Sequence, residues 1–265
     1  MRDMKERLRD LTEEEKQQLL EQLLTEQSRQ SPQRFPPSFA QQRLWFIDQM
    51  EGGKSTAYNL PTPLRLEGKL NLKALERSFN EVIRRHESLR TTFEINAQTG
   101  KVEQVIHQPK AVSIEINDIS ELEDEQREAE MKRVVKEEAG KVFDLARGPL
   151  LRVGIVKLRE QEHVLVMTMH HIVSDGWSMG VLVKEVGEYY SAYSEGRELE
   201  KEELEIQYAD YAVWQREQMS SERMKQEMEY WKKQLGGEIG VMELPGGEGE
   251  EVEGEERRAA QTERV

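Results

Sequence analysis

Hydrophobic residues recur along the chain with two periods, one near 3.6 residues and one of two residues. Leu64 and Leu66 lie on either side of Arg65, which is typical of a half-buried strand. Asn71 is an N-cap residue, and it precedes a run with the helical period. The spacing therefore predicts a helix whose inner face carries Leu72, Leu75, Phe79, Val82 and Ile83.

The same two periods predict helices and strands along most of the chain. Strands are expected over 90–95, 102–107, 112–116, 150–158 and 163–171. Helices are expected over 124–142, 178–194 and 204–235. The inner stripe of the first of these helices is predicted to comprise Met131, Val134, Val135, Ala139 and Val142. Strands interleaved with helices indicate an α/β (α+β) fold, a mixed sheet covered by helices.

The two ends of the chain differ from this middle part. Residues 1–30 have a helical composition, and Thr12 and Glu15 form a capping-box pattern that starts a short amphipathic helix. This segment is either a linker helix or a docking helix for an upstream protein. A proline-rich stretch at 31–37 ends it, the main folded part is expected over 31–245, and 246–265 reads as an acidic Gly/Glu-rich disordered tail.

The composition of the chain excludes several classes of function. The chain has 265 residues, with 52 Asp and Glu against 38 Lys and Arg, so its formal charge of -14 would repel nucleic acid. It contains no cysteine, which excludes disulfides, thiolate metal sites and a cysteine nucleophile. No apolar run approaches the roughly 20 residues that span a bilayer, and the N-terminus lacks the apolar core of a signal peptide. We expect a cytoplasmic protein that binds neither membrane nor nucleic acid.

Candidate chemistry concentrates in residues 169–178. In a strand ending at His171, alternation places Leu165, Met167 and Met169 on one face and Val164, Val166 and Thr168 on the other. His170 and His171 then point to opposite sides, so one can face a reaction channel while the other packs inside. The chain turns through Asp175 and Gly176, where glycine permits a tight or left-handed conformation, into a helix near Ser178. A histidine beside free helix amides offers a proton acceptor and oxyanion donors, the groups that acyl transfer needs.

Three other interpretations of these residues stay open at this point. The two histidines are buried and satisfied within the body, or they bind zinc together with Asp175, although no cysteine and no third-ligand spacing support a metal. A Ser-His-Asp hydrolase is the third, but neither Ser174 nor Ser178 lies in a G-x-S-x-G elbow.

Four stretches, in order, resemble the condensation domains of nonribosomal peptide synthetases, members of the chloramphenicol acetyltransferase-like superfamily of CoA-dependent acyltransferases. Residues 170–176 match the family motif H-H-x-x-x-D-G. Residues 38–46 resemble S-x-A-Q-x-R-L-W, residues 85–93 resemble R-H-E-x-L-R-T-x-F, and residues 208–215 resemble Y-x-D-Y-A-x-W-Q. An ordered match over about 35–235 identifies the family, and 31–245 resembles its N-terminal lobe.

The resemblance implies roles for the motif residues. His171 is implied as the catalytic residue, either as general base for the acceptor amine or as the group that positions that amine, beside His170. Asp175 is implied to be structural, held by an arginine salt bridge, and Gly176 to keep the turn close to substrate. Site-shaping roles are implied for Arg43, Trp177 and Ser178. The alternative for Arg43 is a surface or packing arginine.

Other motif residues are expected to be structural. A buried polar network that joins strand to helix is predicted for Arg85, His86, Glu87 and Arg90. Core positions are predicted for the aromatic residues Trp45, Tyr211 and Trp214.

The resemblance further implies amide bond formation between two carrier-bound thioesters, with substrates on the phosphopantetheine arms of donor and acceptor carrier proteins and no bound cofactor or metal. The flank 174–178 resembles the subtype that joins two L-configured units. The motifs of the second lobe have no counterpart, so we expect a half domain with little activity alone, completed by a second lobe or an upstream synthetase. Alternatives are a non-catalytic remnant or carrier-docking module, and an ester-forming acyltransferase of the same superfamily.

Overall fold

The computed structural model describes residues 32–237 of the chain. The helix predicted within 1–30 and the tail predicted over 246–265 lie outside the described residues. The strands are β1 (Gln33–Phe35), β2 (Asn59–Glu67), β3 (Thr91–Ile95), β4 (Val102–Ile106), β5 (Glu115–Asp118), β6 (Leu151–Arg159) and β7 (Glu162–His170). The α-helices are α1 (Phe39–Met50), α2 (Leu72–Arg85), α3 (Asp124–Ala139), α4 (Gly176–Ser194), α5 (Tyr208–Met219) and α6 (Glu222–Leu235).

The strands form two sheets. The larger has the order β2-β7-β6-β5, in which β5 runs parallel to β6 and the other pairs are antiparallel. The smaller is antiparallel with the order β1-β4-β3. Strands and helices alternate along the chain, so the predicted mixed sheet covered by helices is confirmed.

The larger sheet is covered on both faces. Leu165, Met167 and Met169 of β7 pack with α2 and α4 on one face. On the other face, Val164 and Val166 pack beneath α3. The division predicted from alternation is therefore correct, and because both faces are covered, every residue of β7 after its first is buried.

Helix α2 begins where its sequence predicts. The Asn71 side chain accepts a hydrogen bond from the Ala74 amide at 3.1 Å, and Arg84 and Arg85 lie in the last turn, where cations are favoured. Four of the five residues predicted for its inner face are buried, and the fifth, Leu72, is partly buried against the same cluster.

Two predicted elements differ from the structure in where they begin or end. The strand expected over 112–116 starts only at Glu115, because backbone amides before it are hydrogen-bonded to side chains of α2. The Val112 amide donates to Asn80, and the Ile114 amide donates to Glu76. Helix α3 ends at Ala139, so Val142, predicted on its inner stripe, lies outside it and is 44% exposed.

The helix predicted over 204–235 is two helices. The chain enters α5 only at Tyr208, where the Asp210 carboxylate accepts from the Gln207 amide at 2.8 Å. Helix α6 has its own N-cap, since the Ser221 hydroxyl accepts from the Met224 amide. Among residues 32–237, no helix has both the length and the apolar character needed to cross a bilayer.

Candidate active site

His170 is the last residue of β7, and its ring is buried. The ring lies edge-on to Phe143, with centroids 6.0 Å apart, and Nδ1 accepts a hydrogen bond from the Ile172 amide at 3.1 Å. Burial lowers the pKa of His170 to about 4, and the neighbouring His171 contributes to the same shift. His170 is therefore neutral near pH 7 and helps to fix the loop that follows, which is the packed role predicted for one histidine of the pair.

His171 lies just beyond the strand, and its side chain is exposed. Its amide donates to the Tyr58 carbonyl at 2.8 Å, which continues the β2–β7 ladder by one bond. Its Nδ1 lies 2.7 Å from the Ser174 carbonyl oxygen. Because a carbonyl only accepts, Nδ1 carries a proton, and in the neutral ring the lone pair is therefore on Nε2. The arrangement presents a proton-accepting nitrogen on an exposed ring.

Asp175 has a structural role at the start of α4. Its carboxylate caps α4, accepting from the Ser178 amide at 2.8 Å and from the Ser178 hydroxyl at 2.6 Å. These bonds from Ser178 hold the pKa of Asp175 below its usual value. Within residues 32–237 no arginine pairs with the Asp175 carboxylate, so the implied salt bridge stays a prediction.

The cap also changes the expected oxyanion donors. The Ser178 amide is occupied by the Asp175 carboxylate, so it is not a free donor at the start of α4. Gly176 is the first residue of α4 and does not have a positive φ, so of the two conformations considered, tight or left-handed, the left-handed one is not adopted. A Cβ added at Gly176 would meet open space.

A groove of about 210 Å³ adjoins the histidine loop. Ser174, Trp177 and Ser178 line it together with His86, and its remaining walls are mainly apolar. Trp177 is 85% exposed, so its indole lies free at the surface beside the loop. The structure thus brings Trp177 and Ser178, two of the predicted site-shaping residues, together with the loop that carries His171.

Arg43, the third of them, lies elsewhere. It is an exposed residue of α1 and lines a separate groove of about 800 Å³, together with Phe39, Phe46 and Arg216. No residue of 170–178 lines that groove. The structure therefore does not place Arg43 in the groove that Trp177 and Ser178 line.

The predicted polar network is present and has a centre that the sequence did not indicate. Glu185 of α4 accepts from Arg85 at 2.6 Å and contacts His86 at 2.8 Å, and all three side chains are largely buried. Arg90 donates to the His107 carbonyl at 2.6 Å and lies 3.4 Å from Glu87. Glu185 lies mid-helix with no local motif around it, so only the packing of α2 on α4 reveals its role.

The aromatic residues of the motifs are distributed differently from the prediction. Trp45 packs partly buried against a cluster that includes Ile172 and Val173. Tyr211 and Trp214 are 41% and 55% exposed on α5, so their predicted core positions are wrong. Their rings lie 5.9 Å apart at the helix surface.

The alternative chemistries gain no support from the site. Among residues 32–237 no three His, Asp or Glu side chains are placed to hold a metal ion. The Ser178 hydroxyl bonds Asp175, and the Ser174 hydroxyl bonds the Asp175 carbonyl, so neither forms a serine-histidine pair in the described structure.

Comparison with known proteins points to one family. A family model described as Condensation domain matches residues 31–263. A linear gramicidin synthase from Brevibacillus parabrevis is 43% identical over 210 residues, which is 79% of this chain and 3% of that protein. Malpinin synthetase from Mortierella alpina is 40% identical over 210 residues, again 79% of this chain and 3% of that protein.

Solved structures share the fold. The X-domain from teicoplanin biosynthesis superposes with a TM-score of 0.69 at 32% identity, covering 81% of this chain and 46% of that one, and it has also been solved in complex with OxyB. The first condensation domain of the calcium-dependent antibiotic synthetase gives a TM-score of 0.67 at 20% identity, covering 81% and 52%. The chain thus spans about half the length of these solved chains.

Proposed function

The chain belongs to the condensation-domain family, and from that premise we propose that it is the histidine-bearing lobe of an amide-forming acyltransferase. The substrates would be an aminoacyl or peptidyl thioester on a donor carrier protein and an aminoacyl group on an acceptor carrier. The observation that carries the proposal is the exposed His171 ring, whose Nδ1–H is bound to Ser174 so that Nε2 keeps its lone pair.

In the proposed reaction the acceptor amine attacks the donor thioester carbonyl. A C–N bond forms, the C–S bond breaks, and the phosphopantetheine sulfur leaves and is protonated, so one proton passes from the amine to the thiol. His171 Nε2 would accept a hydrogen bond from the amine, either taking its proton as general base or orienting it and stabilising its developing charge. His170 and Asp175 would act through the loop, the first by binding the Ile172 amide and the second by capping α4.

The described residues supply one wall of a channel, because His171 and Trp177 are exposed. We propose that a second lobe, in the same polypeptide or another, supplies the opposite wall and excludes water, since catalytic hydrogen bonds weaken in a wet site. The flank Ser174 to Ser178 supports a domain that joins two L-configured units. The cytoplasm remains the expected compartment.

The test uses a chimaera in which residues 32–237 replace the matching segment of a condensation domain from the linear gramicidin synthase. Carrier proteins loaded with that domain's own aminoacyl groups serve as donor and acceptor, and mass spectrometry follows the dipeptidyl thioester. Product from the chimaera, lost in His171→Ala, supports the proposal. A folded chimaera without product, or equal product from His171→Ala, contradicts it, and the 265-residue chain alone is expected to give little or none.

A second candidate is a binding module without chemistry. The observation that favours it is the solved complex of the related X-domain with OxyB, which shows that a domain of this fold can bind a second protein. Here the exposed Tyr211 and Trp214 would offer an aromatic surface. Sedimentation with carrier proteins and the product assay together separate the two candidates. A binding module forms a defined complex that His171→Ala leaves unchanged, and its chimaera makes no product.

A further inference from the structure

Gln41 of α1 is a polar residue that is only 3% exposed, and the two ends of its amide have different partners. The side-chain Oε1 accepts a hydrogen bond from the Ser38 backbone amide at 2.9 Å. The backbone amide of Gln41 donates to the Ser38 hydroxyl at 3.2 Å, which completes a capping box. Nε2 donates to the carbonyl oxygen of Ile172 at 3.4 Å. Because Ser38 N–H requires an oxygen, the bond to Ser38 fixes which end of the amide faces Ile172.

Both backbone polar groups of Ile172 are consequently hydrogen-bonded to side chains. Its amide donates to His170 Nδ1, and its carbonyl accepts from Gln41 Nε2. Its side chain packs in a cluster with Val173, against which Leu44 and Trp45 of α1 also pack. Contacts with α1 therefore fix the path of the loop as far as the Ser174 carbonyl, two residues further on.

The start of α1 is itself fixed by α5. Ser38 is fully buried, and its hydroxyl lies 3.0 Å from the Tyr208 hydroxyl. The Phe39 amide donates to Gln215 Oε1 at 3.0 Å, and Arg216 donates to the Pro37 carbonyl at 2.6 Å. These contacts join two motif stretches, 38–46 and 208–215, and Gln41 connects them to the third, 170–176.

We propose that Gln41 is a positioning residue for His171: by holding the Ile172 carbonyl, it keeps the Ser174 carbonyl where it receives the Nδ1 proton and leaves Nε2 as the acceptor. A capping box works with Glu or Gln at this position, but only Gln also provides a donor for Ile172. The inference rests on the proposed function only in treating His171 as the reacting residue.

The test measures the tautomer of His171 in the full chain. Protein labelled with ¹⁵N-histidine gives separate Nδ1 and Nε2 chemical shifts, and the wild type is expected to carry its proton on Nδ1. Gln41→Glu keeps the capping box and loses the donor. The ratio of Nδ1–H to Nε2–H is expected to fall about two- to tenfold, the range that loss of one hydrogen bond produces. Gln41→Met removes the donor without adding a charge and is expected to do the same.

Ser38→Ala is the matched control, because it weakens the cap and leaves Nε2 of Gln41 in place. It is expected to lower the melting temperature without changing the tautomer ratio. A folded Gln41→Glu or Gln41→Met protein with the wild-type ratio overturns the inference, and so does a Ser38→Ala protein that shifts the ratio as far. The readout needs no activity, so an inactive chimaera with a shifted tautomer would remove the proposed function and sustain this inference.

Discussion

The Nδ1–H group of His171 is bound to the carbonyl oxygen of Ser174 at 2.7 Å, three residues along the same loop. The loop therefore selects the tautomer of its own histidine, and no carboxylate among residues 32–237 is hydrogen-bonded to the ring. Backbone carbonyls often fix a histidine tautomer in this way, and the second ring nitrogen is then the one that reacts. The reactivity of His171 thus depends on the groups that hold the loop as well as on the ring itself.

Replacing His171 should separate chemistry from stability. Because the ring is exposed, His171→Ala should change the free energy of unfolding by no more than about 0.5 kcal/mol. In the chimaera it should reduce dipeptide formation by about 100-fold or more. His171→Gln keeps a hydrogen-bonding group that accepts no proton. Equal loss in both variants would indicate proton transfer, and partial recovery with Gln would indicate positioning. Initial rates and urea unfolding provide the two measurements.

His170 should make the protein less stable in mild acid. Its pKa is about 4 when folded and near 6.5 when unfolded, so between these values the unfolded state binds more protons. The stabilising effect of the neutral ring is complete above pH 6.5 and is lost as the pH falls towards 4. From these values, His170 alone should cost about 2 kcal/mol between pH 7 and pH 5.

His170→Asn is the control for that pH dependence, because its oxygen can replace Nδ1 as acceptor for Ile172 and does not titrate. Burial also lowers the pKa values of His107 and His163, and both remain in the variant. Urea unfolding at pH 7 and pH 5 should therefore show a smaller difference for the variant. Equal differences would contradict the assignment to His170.

Asp175 should behave as a helix cap. Asp175→Ala should lower the free energy of unfolding by about 1 kcal/mol, because the Ser178 amide loses its acceptor. Asp175→Asn should retain most of this stability, since asparagine caps helices about as well as aspartate. An asparagine variant as unstable as the alanine variant would show that the charge, and not the cap, is what matters. Thermal and urea unfolding of the full chain measure both variants.

Glu185 should be far more important for stability than a surface acid. Glu185→Ala leaves the largely buried Arg85 guanidinium without its carboxylate, which should cost about 3–5 kcal/mol. Glu94 pairs with Arg34 at a much more exposed site, so Glu94→Ala should cost under about 1 kcal/mol. The comparison by urea unfolding uses one charge change in each variant. Similar small costs would mean that solvent reaches Arg85.

The local pattern was enough to predict most elements. The strand β7, its two faces and the opposite placement of His170 and His171 followed from alternation, because the side-chain period of a strand is two. The Asn71 cap and the helix after it were equally local, since a cap acts on the amides of the next turn. The motif order 38–46, 85–93, 170–176 and 208–215 identified the family.

Only the tertiary structure decided which partner each side chain found. Whether Trp214 is buried and whether Glu185 binds Arg85 depend on elements distant in sequence. The bond from Gln41 to Ile172 joins residues 131 positions apart, and no local period encodes it. The sequence by itself determined periods, caps and motifs, because these act within one or two turns. The tautomer of His171 and the support of its loop were decided by packing, which brings α1, α5 and the end of β7 together.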